Sequence, residues 1–204
     1  MAEDESWPTI RDHGLMSTSA ILDFVELHGE QRIEIESNRR PETIQLRATN
    51  NISFAVRDQK PMTDSALRRC LADDLSPSDW YEILNRRTFF WLTKKRLNTL
   101  LCAGSYSESR HDVLVVDTRS LIQVHRDAIT LSPMNSGNTR PYPHPRSLQT
   151  FLPISEYPYA HRKSRRLEVV VELAVEYCVP DIQQHVVRVH STACNDKWTT
   201  VWER

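Results

Sequence analysis

Apolar and polar positions along the chain follow two regimes. In the first half, apolar residues recur at helical spacing between capping residues. Ser6, Trp7 and Pro8 open a helix, with proline in the first turn where a missing N–H does no harm, and Gly14 closes it. Ser17 or Thr18 caps a second helix whose apolar residues Ile21, Leu22, Val25 and Leu27 run to Gly29. Thr63 starts a helix through Leu67 and Leu71. Ser76, Pro77, Ser78 and Asp79 form a capping signature ahead of Trp80, Ile83 and Leu84. Thr93 caps a helix carrying Leu97, Leu100 and Leu101, closed by Gly104.

Strand patterns gather in the second half. Residues 112–117 read as a buried strand bounded by charges, residues 168–177 as a longer one, and residues 186–190 as a third. Residues 43–46, 52–56 and 88–92 give shorter strand patterns. The pattern predicts one mixed α+β domain over residues 1–192, with helices concentrated in the N-terminal half and residues 193–204 as a C-terminal tail.

Composition narrows the function classes. A chain of 204 residues, 39% hydrophobic and with five Trp, suffices for a single core. Its four Gly include no G-x-G-x-x-G and no G-K-[ST] pattern, which argues against Rossmann and Walker phosphate loops. No apolar run reaches the length of a membrane-spanning helix, and the acidic N-terminus is unlike a signal peptide. The expectation is a cytoplasmic protein without membrane contact. The four Cys are widely spaced, with no C-x-x-C, and are expected to be scattered buried or free thiols. The eight His are equally dispersed and form no H-E-x-x-H, so no metal is expected.

Net charge is −1, but it is uneven. Residues 1–36 carry nine acids and two bases, a balance of −7. Residues 85–110 carry Arg86, Arg87, Lys94, Lys95, Arg96 and Arg110 against Glu108. Residues 140–166 carry Arg140, Arg146, Arg162, Lys163, Arg165 and Arg166 against Glu156. Such segments are either solvated faces or contacts for phosphate and nucleic acid.

Several residues could carry chemistry. Period two along residues 168–177 sets Glu168, Glu172 and Glu176 on one face, either a solvated acidic face or a carboxylate lining a cleft. Arg57, Asp58, Gln59, Lys60 and Pro61 follow a strand directly and are either a charged turn or an anion clamp. Asn135, Ser136 and Gly137 are suited to a plain turn or to wrapping a ligand. They lie in a stretch, residues 132–158, that holds six of the eleven prolines, too long for an ordinary connector. Phe89, Phe90 and Trp91 read as core, with an aromatic stacking platform for a base or nicotinamide as the lesser alternative.

Residues 6–19, with His13, Gly14, Leu15 and Ser17 in order, resemble the opening helix and loop of small ADP-ribosyltransferase-fold proteins. DarT-type DNA ADP-ribosyltransferases and RNA 2′-phosphotransferases share that opening. The segments 56–61, 89–92, 111–117, 132–137 and 171–182 together resemble an uncharacterised bacterial domain family over roughly residues 5–190. The resemblance implies an ADP-ribosyltransferase-like split sheet. Glu172-Leu173-Ala174-Val175, followed by Val179-Pro180, is similar to the strand that carries the catalytic Glu in DarT-like enzymes. It implies Glu172 as the catalytic acid and Arg57 as holder of the NAD phosphates. It also implies His13, Gly14, Leu15, Ser17 and Thr18, with Asn135 and Ser136, as the NAD-binding set. The family's His on a first strand has no counterpart after Met1.

The expected function is therefore NAD-dependent mono-ADP-ribosyl transfer to DNA, RNA or another macromolecule. Two alternatives stand beside it. One is a non-enzymatic nucleotide or nucleic-acid binding module using Arg86, Arg87, Lys94, Lys95, Arg162, Lys163, Arg165 and Arg166. The other is a toxin-system or protein-interaction domain.

Overall fold

The structure, a computed structural model, describes residues 1–49, 51–165 and 168–204. Arg166, one of the expected cations, lies outside the described residues. The fold is α+β, with several small sheets and, among the described residues, no closed barrel.

In chain order the helices are α1 (Trp7–His13), α2 (Thr18–Phe24), α3 (Gly29–Glu36), α4 (Asp64–Leu67), α5 (Pro77–Asn85), α6 (Lys94–Leu101), α7 (Thr118–His125) and α8 (Tyr159–Ser164). The strands are β1 (Ala2–Glu3), β2 (Leu15–Met16), β3 (Ile44–Arg47), β4 (Ser53–Val56), β5 (Arg87–Trp91), β6 (His111–Val116), β7 (Ile129–Ser132), β8 (Leu152–Pro153), β9 (Glu172–Glu176), β10 (Cys178–Val179), β11 (Val186–Thr192) and β12 (Thr199–Glu203).

The capping residues act where the sequence places them. Ser17 Oγ accepts from Ala20 N, Thr63 from Ala66 N, and Thr93 from Arg96 N. Ser76 and Asp79 complete a reciprocal capping box at the start of α5. Two helices differ in length from expectation. The second stops at Phe24, and Gly29 begins α3 instead of ending α2. The helix after Thr63 is a single turn ending at Leu67.

The chain divides into two compact units, each discontinuous in sequence. The first comprises Met1–Leu15, Trp91–Asp127 and Val179–Arg204. Its antiparallel sheet has the order β1-β6-β11-β12. Val189 pairs with Leu114 on one side and Trp202 on the other, so β11 is interior to the sheet. The segment expected as a tail thus contributes the edge strand β12. Trp202 packs on Trp7 with ring centroids 5.1 Å apart.

This unit also corrects the reading of the cysteines. Cys102, at the end of α6, and Cys194, just after β11, form a disulfide with Cα atoms 4.7 Å apart. They are 92 residues apart in sequence, so only the fold brings them together. Among the described residues, Cys70 and Cys178 take part in no disulfide.

The second unit comprises Met16–Phe90 and Ala128–Cys178. It holds the hairpin β3-β4 and the sheet β5-β9-β7-β8. One apolar cluster joins Met62, Leu67, Trp80, Tyr81, Leu84, Phe151 and Ala174. A second joins Ile21, Leu22, Ile35, Phe54 and Val56 beneath the hairpin. A side chain of this size buried fully contributes about 1.5–3 kcal/mol. Phe89, expected in the core, is 38% exposed because the pleat of β5 turns Thr88 inward and Phe89 outward. Phe89 instead rests its ring on Phe151, at 6.0 Å.

Candidate functional site

β9 is interior to its sheet, and both of its faces are covered. Glu172 opens it, paired across the ladder with Ser132 of β7, and is only 4% exposed. The solvated acidic face is thereby excluded for Glu172. Ala174, on the same side of the pleat, packs into the Trp80 cluster, which shows what covers that face. Burying a carboxylate requires hydrogen-bond donors. One is the backbone N–H of Ser136, which donates to Glu172 Oε2 at 3.1 Å.

The loop that supplies this amide is firmly tied down. Ser132 Oγ donates to Met134 O at 3.0 Å and shapes the turn after β7. Arg146, 1% exposed, sits behind the loop with its guanidinium 5.8 Å from the Trp80 ring. It donates to Asn138 O at 2.6 Å and to His144 O at 2.7 Å, with a longer contact of 3.4 Å to Ser136 O. The Ser136 residue therefore turns its N–H to a buried carboxylate and its C=O to a buried guanidinium. Proline content in this stretch accompanies order imposed by a buried arginine.

The same loop reaches the Arg57–Pro61 turn. Thr139 Oγ1 donates to Pro61 O at 2.8 Å. Arg40, buried beside Asn85, holds the start of that turn, its Nε donating to Arg57 O at 3.2 Å and its Nη2 to Asn85 Oδ1 at 2.9 Å. Burial pushes the Arg40 guanidinium down to about 10, against the opposing pull of Asp58. Asp58 closes the turn by accepting from Lys60 N at 3.1 Å. Residues 57–61, residues 132–139 and Glu172 are thus one connected polar region within the second unit. Arg57 itself is half-buried.

Ser17 and Thr18 stand at the other end of β9. Ser17 N donates to Tyr177 O at 2.9 Å, five residues beyond Glu172, or about 16 Å along an extended strand. Tyr177 has φ 64, a left-handed conformation uncommon for an aromatic residue. It is held there by Ser17, by its N–H to Arg86 O at 2.6 Å, and by its hydroxyl, which donates to Asp23 at 2.6 Å. That bond raises the Tyr177 phenol to about 12. Ser17 and Thr18 therefore open α2 against Tyr177 and have no hydrogen bond to Glu172.

The model of one protein family matches residues 1–186, a span that takes in every part of this region. The chain belongs to DUF7002, a family of unknown function. No curated protein and no solved structure matches the chain. The DUF7002 model names neither a fold nor an activity, so nothing in it ties the chain to ADP-ribosyltransferases.

The other candidates in this DUF7002 chain are dispersed. His13, Gly14 and Leu15 belong to the first unit, whereas Ser17, Thr18, Asn135, Ser136 and Glu172 belong to the second. Gly14 has a packing explanation: at φ 87, a Cβ there would lie 2.8 Å from the Pro180 Cα. Arg86 and Arg87 both pair with Glu176 at 3.1 Å, and the three residues line a pocket of about 390 Å³ with Asp79, Glu82, Leu75 and Ile83. Arg162 is engaged by the carbonyls of Val169 and Pro133, at 2.8 and 3.1 Å. Lys94 is exposed and lies 4.4 Å from the Trp198 ring. Lys95, Lys163 and Arg165 are exposed.

One cluster escaped the sequence reading. His125, Asp181 and His185 of the first unit turn their polar atoms to a common point, all within 4.8 Å of one another. His125 ends α7, and the other two bracket a short turn at Ile182–Gln184. Burial opposes ionisation of Asp181, yet the bond from His125 keeps its carboxyl below the usual range. The local signal was the four-residue spacing of Asp181 and His185. The third member is 56 residues from Asp181.

Among the described residues, no helix is long and apolar enough to cross a membrane.

Proposed function

We propose that this DUF7002 chain is a NAD-dependent mono-ADP-ribosyltransferase that acts in the cytoplasm on DNA, RNA or another macromolecular acceptor. One observation carries the reading. The 132–139 loop joins Glu172, through the Ser136 amide, to the Arg57–Pro61 turn, through Thr139. This arrangement supports a fixed carboxylate and a nearby cationic turn in one region, the two features the resemblance requires.

In the reaction, the bond between ribose C1′ and the nicotinamide nitrogen breaks, and neutral nicotinamide leaves with the bonding electrons. Positive charge builds on the ribose, and a nucleophile of the acceptor bonds to C1′ and releases a proton. Glu172 accepts a hydrogen bond from a ribose hydroxyl and stabilises that charge. The Ser136 amide, donating to Glu172 Oε2, orients that carboxyl group. Arg57 pairs with the NAD phosphates as a fork-shaped donor. The exposed Lys163 and Arg165, in the same unit as Glu172, meet an anionic acceptor. A cytoplasmic site of action requires the Cys102–Cys194 disulfide to be dispensable for activity, because reducing compartments keep thiols open.

Transfer of labelled ADP-ribose from NAD to DNA, RNA and lysate proteins tests the reading. The Glu172→Gln variant retains an oxygen to accept from Ser136 and so keeps the fold. It is expected to lose at least about 100-fold in transfer rate, the scale of removing an electrostatic stabiliser. Absence of both NAD binding and transfer in the wild-type chain, or full activity in Glu172→Gln, contradicts it.

A further inference from the structure

We infer that His125, Asp181 and His185 form a binding site for a divalent transition-metal cation of the zinc type, held by two imidazoles and one carboxylate. The residues belong to the first unit and the inference needs neither NAD nor Glu172.

The geometry carries the argument. His125 Nε2 lies 2.6 Å from Asp181 Oδ1, and His185 Nε2 lies 3.2 Å from Asp181 Oδ2. The two rings are nearly perpendicular, at 82°, with centroids 5.5 Å apart, so both Nε2 atoms converge on one carboxylate without stacking. A tetrahedral zinc with bonds of about 2.0–2.2 Å separates its ligand atoms by about 3.3 Å. Both observed separations fall below that value, so side-chain rotations that part the ligand atoms admit the ion. Two His and one carboxylate leave an open position for water or a substrate oxygen, a donor set found at catalytic zinc and non-haem iron centres.

The surroundings fix the least exposed ligand. His185 is 1% exposed, and its Nδ1 lies 2.7 Å from Ser120 Oγ of α7. Without metal, the carboxylate can only accept, so His185 Nε2 carries the proton and Nδ1 accepts from the Ser120 hydroxyl. With metal on Nε2, the proton shifts to Nδ1 and donates to the same hydroxyl oxygen. Serine serves both states because it is donor and acceptor, and the change of tautomer releases no proton. A partner on the non-ligating nitrogen is the usual outer support of a metal-bound histidine. Asp117 N also donates to His185 O at 2.8 Å, tying the start of α7 to the same residue.

The test uses the full chain, stripped with chelator and titrated with Zn²⁺ by calorimetry and with Co²⁺ by visible absorption. The expected result is one equivalent bound, with the ligand-field bands of a low-coordinate Co²⁺ site. His125→Ala, at a half-buried helix end, is expected to weaken binding at least about 100-fold, and Ser120→Ala about 10-fold. Asp181→Asn gives a second ligand variant, and thermal melts of all three report on folding. Absence of saturable binding to the wild-type chain overturns the inference. Wild-type affinity in a folded His125→Ala overturns it equally, since binding would then reside at other histidines.

Discussion

Glu172, buried in a sheet, and Asp181, half-buried beside a short turn and a helix end, are carboxylates held by different means. Glu172 accepts from a backbone amide of a loop that Arg146 clamps through carbonyls. Asp181 accepts from two imidazole side chains. A peptide N–H cannot change its protonation state or leave, so this bond fixes the orientation of the Glu172 carboxyl. Imidazoles can move a proton to the other ring nitrogen and take a metal in its place, so the second can switch partners. The difference suits a fixed electrostatic stabiliser in one region and a ligand set in the other.

The comparison can be broken by perturbing each support. The largest stability effect is expected on reducing Cys102–Cys194, which closes a loop of 92 residues in the unit that holds Asp181. The chain-entropy argument puts the loss at about 4.6 kcal/mol, read as the shift in urea unfolding between oxidised and reduced protein. An unchanged unfolding curve contradicts it. Next comes Arg146→Met, which keeps bulk against Trp80 but strands the carbonyls of Asn138 and His144. It is expected to destabilise by about 3 kcal/mol and to lower transfer activity through the displaced Ser136 amide. Loss of stability with unchanged transfer would detach the loop from the Glu172 reading.

The smallest effect involves Asp23, whose carboxyl is held below its usual range by bonds from Arg32 and then Tyr177. A depressed folded-state pKa contributes stability above the unfolded value of about 4 and loses it as pH falls through the folded one. Asp23 is exposed enough that the contribution is under about 1 kcal/mol. Urea midpoints of wild type and Asp23→Asn should differ at pH 7 and converge below about pH 3. A constant difference across that range would place the effect elsewhere.

Local chemistry was readable in the sequence wherever it acts over a few residues. Ser17, Thr63, Ser76 with Asp79, and Thr93 all cap the helices they precede, because a cap needs only a donor three residues on. α3 was hidden because its sequence is largely polar and begins with Gly29, at φ 66, which reads as a stop. α7 was hidden because Asp117, its N-cap, also reads as the charge that bounds β6. Glu172 was visible as an acid in a valine-rich run, but its burial depends on the Trp80 cluster and on a loop 36 residues away. The disulfide and the His125–Asp181–His185 cluster were invisible for the same reason, since their partners meet only across long sequence separations.

The most direct measurement is the rate of ADP-ribose transfer from NAD by wild type and by Glu172→Gln, with thermal melts on the same samples. The account predicts matching melts and a rate at least about 100-fold lower in the variant. Equal rates in two folded proteins, or no NAD binding and no transfer by the wild type, would contradict it.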